Sequence, residues 1–369
     1  MPKTVQAPYP RIALMMSSPE NKIESSSTPD RKLTMVEALR EALREEMRRD
    51  ETVILLGEDI GVEGGFGGAF TVTLGLAEEF GHRRVIDTPI SEAAITGAAI
   101  GAALGGLRPV ADVQYGDFLF LTMDQLANHA AKLRYMSGGK LRVPMVMRAP
   151  VGATTRGAQH GQSLEAFFLH VPGLKVACPS NPYDGKGLLK TAIRDDNPVV
   201  FFEHKLLYGS KGARKEAGGI EALGFVPEEE YLIPIGQAKV VRPGRDVTLV
   251  ANLLMVHRSF QAAGILAESG IEAEVIDVRT LAPFDWGTVA ESVRKTGKLV
   301  LVEEDNLTGG WGAEVAARVG ESCFGYLDAP IRRIAAPDTP VPFAPVMERF
   351  YVPTTERIVA VVQELAASY

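Results

Sequence analysis

The chain has 369 residues, 46% hydrophobic and 23% charged, which suits two globular domains with a sizeable core. A formal net charge of −7 argues against nucleic acid or an anionic membrane as partner, since both favour basic patches. Cys178 and Cys323 are far apart and lack ligand spacing, so no disulfide framework or zinc site follows and a reducing compartment is expected.

Residues 1–30 carry several Pro and Ser, with Lys3 and Arg11 and no acid before Glu20. A flexible tail is expected, with a mitochondrial transit peptide as the alternative and Met15 or Met16 as other starts. The expected compartment is the cytoplasm, or the mitochondrial matrix if the tail is a transit peptide. No apolar run reaches the roughly 20 residues that a membrane span needs.

From residue 34, "TMVEALREALREEMRR" puts Met35, Ala38, Leu39, Ala42, Leu43 and Met47 on one helical face. Thr34 and Glu37 have capping-box spacing. "VILLGED" predicts a buried strand, "TVTLGLAEEF" a helix and "RVIDTP" a short strand. A glycine-rich helix from Glu92, the strand "RPVADVQY", the helix "MDQLANHAAKLRYMS" and the strand "VPMVMRAP" follow. "LKVACPS", "DGKGLLKTAIRD" and "PVVFFEH" then predict strand, helix and strand. Residues 209–230, rich in Gly and charge, are expected to be a linker or mobile loop. After them the alternation resumes through "DVTLVAN", "FQAAGILAESG", "IEAEVIDV", "TVAESVRKTG", "KLVLVEE", "GAEVAARVGES", "IRRIAA" and "TERIVAVVQELAAS". Short apolar runs alternating with helices predict two α/β domains, each a doubly wound, mostly parallel sheet. The expected boundaries are a tail at 1–30, a first domain at 31–208, a linker at 209–235 and a second domain at 236–369.

In "DTPISEAAITGAAIGAALGG" a single carboxylate, Glu92, heads an apolar run. Ser91 could cap the helix and leave Glu92 in a first turn that the dipole favours by about 0.3–1 kcal/mol. Ile90 before it and Phe118 of "YGDF" after the next strand favour another reading, a carboxylate facing a buried heterocyclic cofactor with which it exchanges a proton. Gly97, Gly101 and Gly105 recur every four residues, each costing roughly 1 kcal/mol against Ala in a helix. Close backbone packing compensates, either inside one domain or against a second copy across a two-fold axis. "GATTRGAQHGQS" (152–163) follows a strand, where open α/β sheets bind ligands, and frames His160 with polar, flexible residues. His82, His129, His170, His204 and His257 lie in helix or strand contexts and are expected to be structural. GxGxxG, GxxxxGK[ST] and GxSxG are all absent. "GVEGGFGGAF" (61–70) reads as a flexible loop without the spacing for phosphate.

Taken together, "LLGED", "RVIDTPISEAAITGAAIGAALGGLRPV", "AQHGQS", "HVPGLKV", "DGKGLLKTAIRDDNPV", "EHKLLYG" and "VPEEEYLIPIG" resemble the beta subunit of the thiamine-diphosphate-dependent decarboxylase component of 2-oxo acid dehydrogenase complexes. The resemblance spans roughly residues 33–366. It implies a transketolase-like pyrimidine-binding domain followed by a transketolase-type C-terminal domain. It implies that Glu92 hydrogen-bonds the aminopyrimidine of thiamine diphosphate and favours its imino tautomer, so that the thiazolium can act as electron sink for decarboxylation. It also implies that Ile90 and Phe118 flank the pyrimidine, that Glu58 is a second acid near the cofactor, and that His160 assists acyl transfer to a lipoyl group. A potassium ion on the backbone at Met145, Ala192, Ile193, Asp195 and Asn197 is implied as well, although "RDDNP" by itself reads as a helix end and turn.

Two departures stand out. Gly161 occupies a position where members of this family often carry Ser, and the 209–225 stretch is longer than usual. The Gly-Asp-Gly motif with a later Asn, which holds magnesium and the diphosphate, is missing, and "GDF" at 116–118 lacks the second glycine. An alpha subunit is therefore expected to supply that half of the site and hold magnesium, in an alpha2-beta2 heterotetramer with beta–beta association. The lipoyl acyltransferase core is the expected acceptor. Pyruvate is the favoured substrate, with acetoin or a branched-chain 2-oxo acid as alternatives. A self-sufficient transketolase-like enzyme and a non-catalytic scaffold are the competing classes.

Overall fold

The computed structural model describes residues 31–209 and 223–368. In chain order the first half lays down β1 (Lys32–Leu33), α1 (Met35–Arg49), β2 (Val53–Gly57), α2 (Leu76–Phe80), β3 (Val85–Asp87), α3 (Glu92–Leu104), β4 (Arg108–Asp112), α4 (Ala131–Met136), β5 (Val146–Val151), α5 (Glu165–Leu169), β6 (Lys175–Ala177), α6 (Pro182–Arg194) and β7 (Val199–His204). The second half adds β8 (Gly224–Phe225), β9 (Lys239–Arg242), β10 (Val247–Ala251), α7 (Leu253–Glu268), β11 (Ala273–Asp277), β12 (Thr280–Ala282), α8 (Trp286–Thr296), β13 (Leu299–Asn306), α9 (Trp311–Cys323), β14 (Arg332–Ala336), α10 (Pro345–Tyr351) and α11 (Thr355–Ser368). Strands such as β2, β5 and β10 are buried along their whole length, which is why they read as unbroken apolar runs rather than alternating ones.

Two larger sheets result. One runs β12-β6-β7-β5-β4-β2-β3 and is parallel except at β12; the other runs β14-β13-β10-β11-β9 and is parallel except at β9. This is the α/β, mostly parallel architecture that the alternation predicts. β12 is a strand from the second half that closes the edge of the first sheet, with Thr280 opposite Ala177 and Ala282 opposite Val176. Both sheets lie in one compact unit, Lys32–Tyr369.

Helix α1 starts at the Thr34–Glu37 capping box. Its face of Met35, Leu39, Leu43 and Met47 is fully buried, each side chain stabilising by about 1.5–3 kcal/mol. It packs on α6, where the buried Lys186 and Lys190 reach Glu41 and Glu45, and Arg194 pairs with the buried Glu46. Ion pairs thus flank the apolar seam, because a buried ammonium without a partner is costly.

Three local expectations change. "TVTLGLAEEF" is helical only over Leu76–Phe80, because Thr71 and Gly75 take left-handed backbone angles that break it into turns. "MDQLANHAAKLRYMS" begins as a π-helical stretch at Asp124–Ala130 before α4. The described part of the expected linker is tied down: β8 pairs with β1, Tyr231 stacks on Tyr183 at 4.4 Å, and Ile233 fills the notch over Gly187. The tail expected at 1–30 lies outside the described residues, as does most of the longer loop, 210–222. Both cysteines are free and buried, and among the described residues no helix is long and apolar enough to cross a membrane.

Candidate active site

The residues just after the C-terminal ends of β2, β3, β4, β5 and β7 surround one cavity of about 1020 Å³. Chain order reverses around β2, since β3 lies on one side of it and β4 on the other. Open α/β sheets leave a ligand crevice at such a reversal. Gln114, beyond β4, bridges the gap by donating to the Glu58 carbonyl at 2.6 Å and accepting from the Ala69 N–H at 3.0 Å.

All five side chains singled out for catalysis or cofactor contact, Glu58, Ile90, Glu92, Phe118 and His160, line this cavity. Glu92 is the first residue of α3 and only 8% exposed. Ser91 stands in the N-cap position without a side-chain capping bond, so the helix start is held instead by backbone and by the Thr96 hydroxyl on the Glu92 carbonyl at 2.8 Å. Burial raises the Glu58 carboxyl above its ordinary range, and Asp59, Glu92 and Asp87 push it further the same way. Ile90 is 74% exposed at the rim.

The His160 ring stands edge-on to Tyr115 at 4.8 Å and to Phe118 at 5.5 Å. Its loop is held from several sides. Gln162 donates to Asp117 at 2.7 Å, Ala153 N–H donates to Glu304 at 2.7 Å, and Thr155 N–H donates to Glu348 at 2.6 Å. The glycines have steric causes. A Cβ on Gly152, at φ +93, would strike the His204 ring, and one on Gly161 would lie 2.9 Å from the Gly157 carbonyl and 3.0 Å from Val341. Any side chain at Gly161 would press on both. Asp117 of "GDF" is buried, and its Oδ1 accepts from the Gln162 backbone and side chain.

Beneath the cavity Arg148 joins Asp112 and Glu203, and Tyr208 donates to Glu203 at 2.7 Å. Burial pushes Asp112 up to about 6, with Arg148 pulling the other way. His204 and His257 are structural as expected. His204 Nδ1 accepts from the Leu206 N–H, leaving Nε2 to donate to Glu304 at 2.8 Å, and His257 Nε2 meets the Ser180 carbonyl at 2.6 Å.

Motif reading missed four cavity elements: Gln114, Tyr115, Lys205 and the 61–70 loop, whose Val62, Gly65, Phe66, Gly68, Ala69 and Phe70 form one wall. The strand-end rule that flagged His160 applies equally to Gln114 and Lys205. The loop carries no charge pattern to betray it beyond Glu63.

The five positions expected to hold potassium behave differently. The Ile193 and Asp195 carbonyls both accept from Arg108 Nη1, at 3.0 and 3.1 Å. The Met145 carbonyl accepts from Val199, the Asp195 carboxylate is taken by Lys175 and Asn197, and the Asn197 amide oxygen by Arg134. The backbone oxygens suit a hard cation, and Arg108 holds two of the five positions, Ile193 and Asp195.

Comparison with known proteins follows this geometry closely. Residues 31–211 match the transketolase pyrimidine binding domain and residues 236–358 the transketolase C-terminal domain. The beta subunit of acetoin:2,6-dichlorophenolindophenol oxidoreductase from Cupriavidus necator is 49% identical, covering 89% of this chain and 96% of that protein. The 2-oxoisovalerate dehydrogenase subunit beta of Bacillus subtilis is 45% identical over 90% of this chain and 98% of its own length. The pyruvate dehydrogenase E1 component subunit beta of Chaetosphaeridium globosum is 45% identical over 90% and 97%. The chain belongs to this family of dehydrogenase beta subunits. A split-gene transketolase, solved as an inactive beta4 tetramer, shares the beta subunit's fold at a TM-score of 0.71 and 21% identity, covering 91% of this chain and 98% of that one.

Within the beta subunit the cavity wall is acidic. Glu58, Asp59 and Glu92 face it, and Lys205 is its one Lys or Arg among the described residues. Such a wall suits the pyrimidine end of thiamine diphosphate and not its phosphates, which require cationic neutralisation.

Proposed function

We propose that this beta subunit acts with an alpha subunit in an alpha2-beta2 heterotetramer to decarboxylate a 2-oxo acid, pyruvate in the favoured case, and to pass the acyl group to a lipoyl acceptor on an acyltransferase core. The observation that carries this reading is the buried Glu92 carboxylate at a cavity wall shared with Phe118 and His160. When bound, thiamine diphosphate supplies the electron sink for loss of carbon dioxide. Glu92 would hold a proton at the pyrimidine nitrogen, and Phe118 and Ile90 would give the ring an apolar setting. Glu58 adds a second carboxyl near the same ring, and His160 serves the acyl-transfer step. The alpha chain brings the phosphate and magnesium half. A second reading, cleavage of acetoin, is favoured by the 49% identity to the Cupriavidus necator subunit.

The test is reconstitution with the alpha chain and assay of dye reduction with pyruvate, 2-oxoisovalerate and acetoin in turn. One of the three is expected to dominate. Glu92→Gln should lower that rate about 10²-fold or more while thiamine diphosphate still binds, because the amide keeps size and loses proton exchange. Turnover like the wild type would remove Glu92 from the chemistry. Cofactor binding by the isolated chain would favour a self-sufficient enzyme instead, and absence of binding under every condition a scaffold.

A further inference from the structure

Lys205 is 1% exposed, yet it lines the cavity. It sits at the end of β7, directly after the His204 that bonds Glu304 at 2.8 Å, so its backbone is anchored by a buried pair. Two contacts of its ammonium bear on His160. It donates to the backbone carbonyl of His160, and it stands over the face of the Tyr115 ring, 4.9 Å from the centroid. The edge-on partner of that same ring is the His160 imidazole. One cation therefore grips both the backbone of His160 and the aromatic surface against which its side chain rests. Side-chain bonds hold this loop at Ala153, Thr155 and Gln162, while the His160 N–H makes a long 3.4 Å bond to the Gly157 carbonyl. A lysine with so little exposure gives up hydration, and a carbonyl and a ring face replace it in part.

We propose that Lys205 is a positioning residue that fixes the angle at which the His160 imidazole enters the cavity. The proposal rests on the reading of His160 as the residue serving acyl transfer. Freed from Lys205, the loop would let the ring turn away from Tyr115. The chemistry at Glu92, which Lys205 does not contact in any bond described above, would feel this less than the step that uses His160.

The experiment uses the reconstituted alpha–beta enzyme with Lys205→Met and Lys205→Arg. Acylation of a lipoyl domain and reduction of dichlorophenolindophenol are measured side by side, together with amide hydrogen exchange over residues 152–163. Lys205→Met is expected to lower kcat for acylation about tenfold more than it lowers dye reduction, and to speed exchange in the loop. Arginine, which can reach a carbonyl and lie on a ring, should recover at least half of both changes. Unchanged exchange in Lys205→Met, equal losses in the two assays, or failure of arginine to rescue would each overturn the proposal. His160→Ala run in parallel separates the two readings. If it spares acylation, the role of His160 falls, and the positioning claim then stands or falls on the exchange data alone.

Discussion

At Glu92 two demands coincide. The first turn of α3 favours a carboxylate through its unpaired N–H groups, and the proposed proton exchange calls for an acid held out of water. Neither demand interferes with the other, which is why one glutamate can head an otherwise apolar helix. At His160 the demands are steric and come from distant parts of the chain: two aromatic rings, a tethered carbonyl and a loop of tightly placed glycines. His160→Ala is expected to lower acylation of lipoyl domains about 10²-fold while sparing carbon dioxide release to an artificial acceptor. Parallel assays of the two half-reactions check this, and equal losses would place His160 before the acyl-transfer step. Glu58 entered through the resemblance alone, whereas Ile90, Glu92, Phe118 and His160 could be proposed as cavity residues from one sequence because each sits beside a strand end or in a motif. Lys205 could not. Its importance comes from folding back onto a carbonyl 45 positions earlier in the chain, and no local pattern encodes that contact.

Elements show the same division. Strands and long helices follow from apolar periodicity and caps, so β2, β5, β7, α1 and α6 fall where the residues place them. α2, β9, β12 and α10 are short and draw their stability from what they pack against, so their residues alone carry little signal. The N-terminus of α9 illustrates a tertiary override. Glu303 on β13 accepts the Gly312 N–H at 2.9 Å, as an anion at a helix start should, yet burial outweighs that bond and pushes its carboxyl up to about 8. A folded-state value above the unfolded one, about 4.3, means that its contribution to stability is complete below that pH and is lost as pH rises toward 8. Glu303→Gln keeps the acceptor and cannot ionise. Its stability relative to wild type should therefore rise between pH 5 and pH 8, by on the order of a few kcal/mol. Urea unfolding at both pH values measures this, and a constant difference would show that burial does not govern Glu303.

On the scale of the whole molecule, α3 presents a face with no partner among the described residues of its own subunit. Gly97 and Gly101 have no neighbouring atom within 4 Å of where a Cβ would stand, so packing inside one domain does not explain them, and Gly105 lies just beyond the helix as its C-cap. We propose that a second copy of the beta subunit covers this face. Gly101→Leu separates the subunit from the assembly: within one chain it should stabilise α3 by about 1 kcal/mol. Between two chains it should overpack the seam by about 1–3 kcal/mol and shift sedimentation toward monomer. Unchanged mass in the variant would mean that α3 does not pair. The strand β12 raises a different matter, that of modularity. Although two separate domain descriptions match this chain, residues 280–282 complete the edge of a sheet built almost entirely from residues 53–204. A gene fragment ending at the conventional seam would leave β6 as a raw edge, open to pairing with any extended peptide it meets. Shuffling of such domains between genes is thus constrained to keep the two halves together, or to carry the β12 ribbon across with the first.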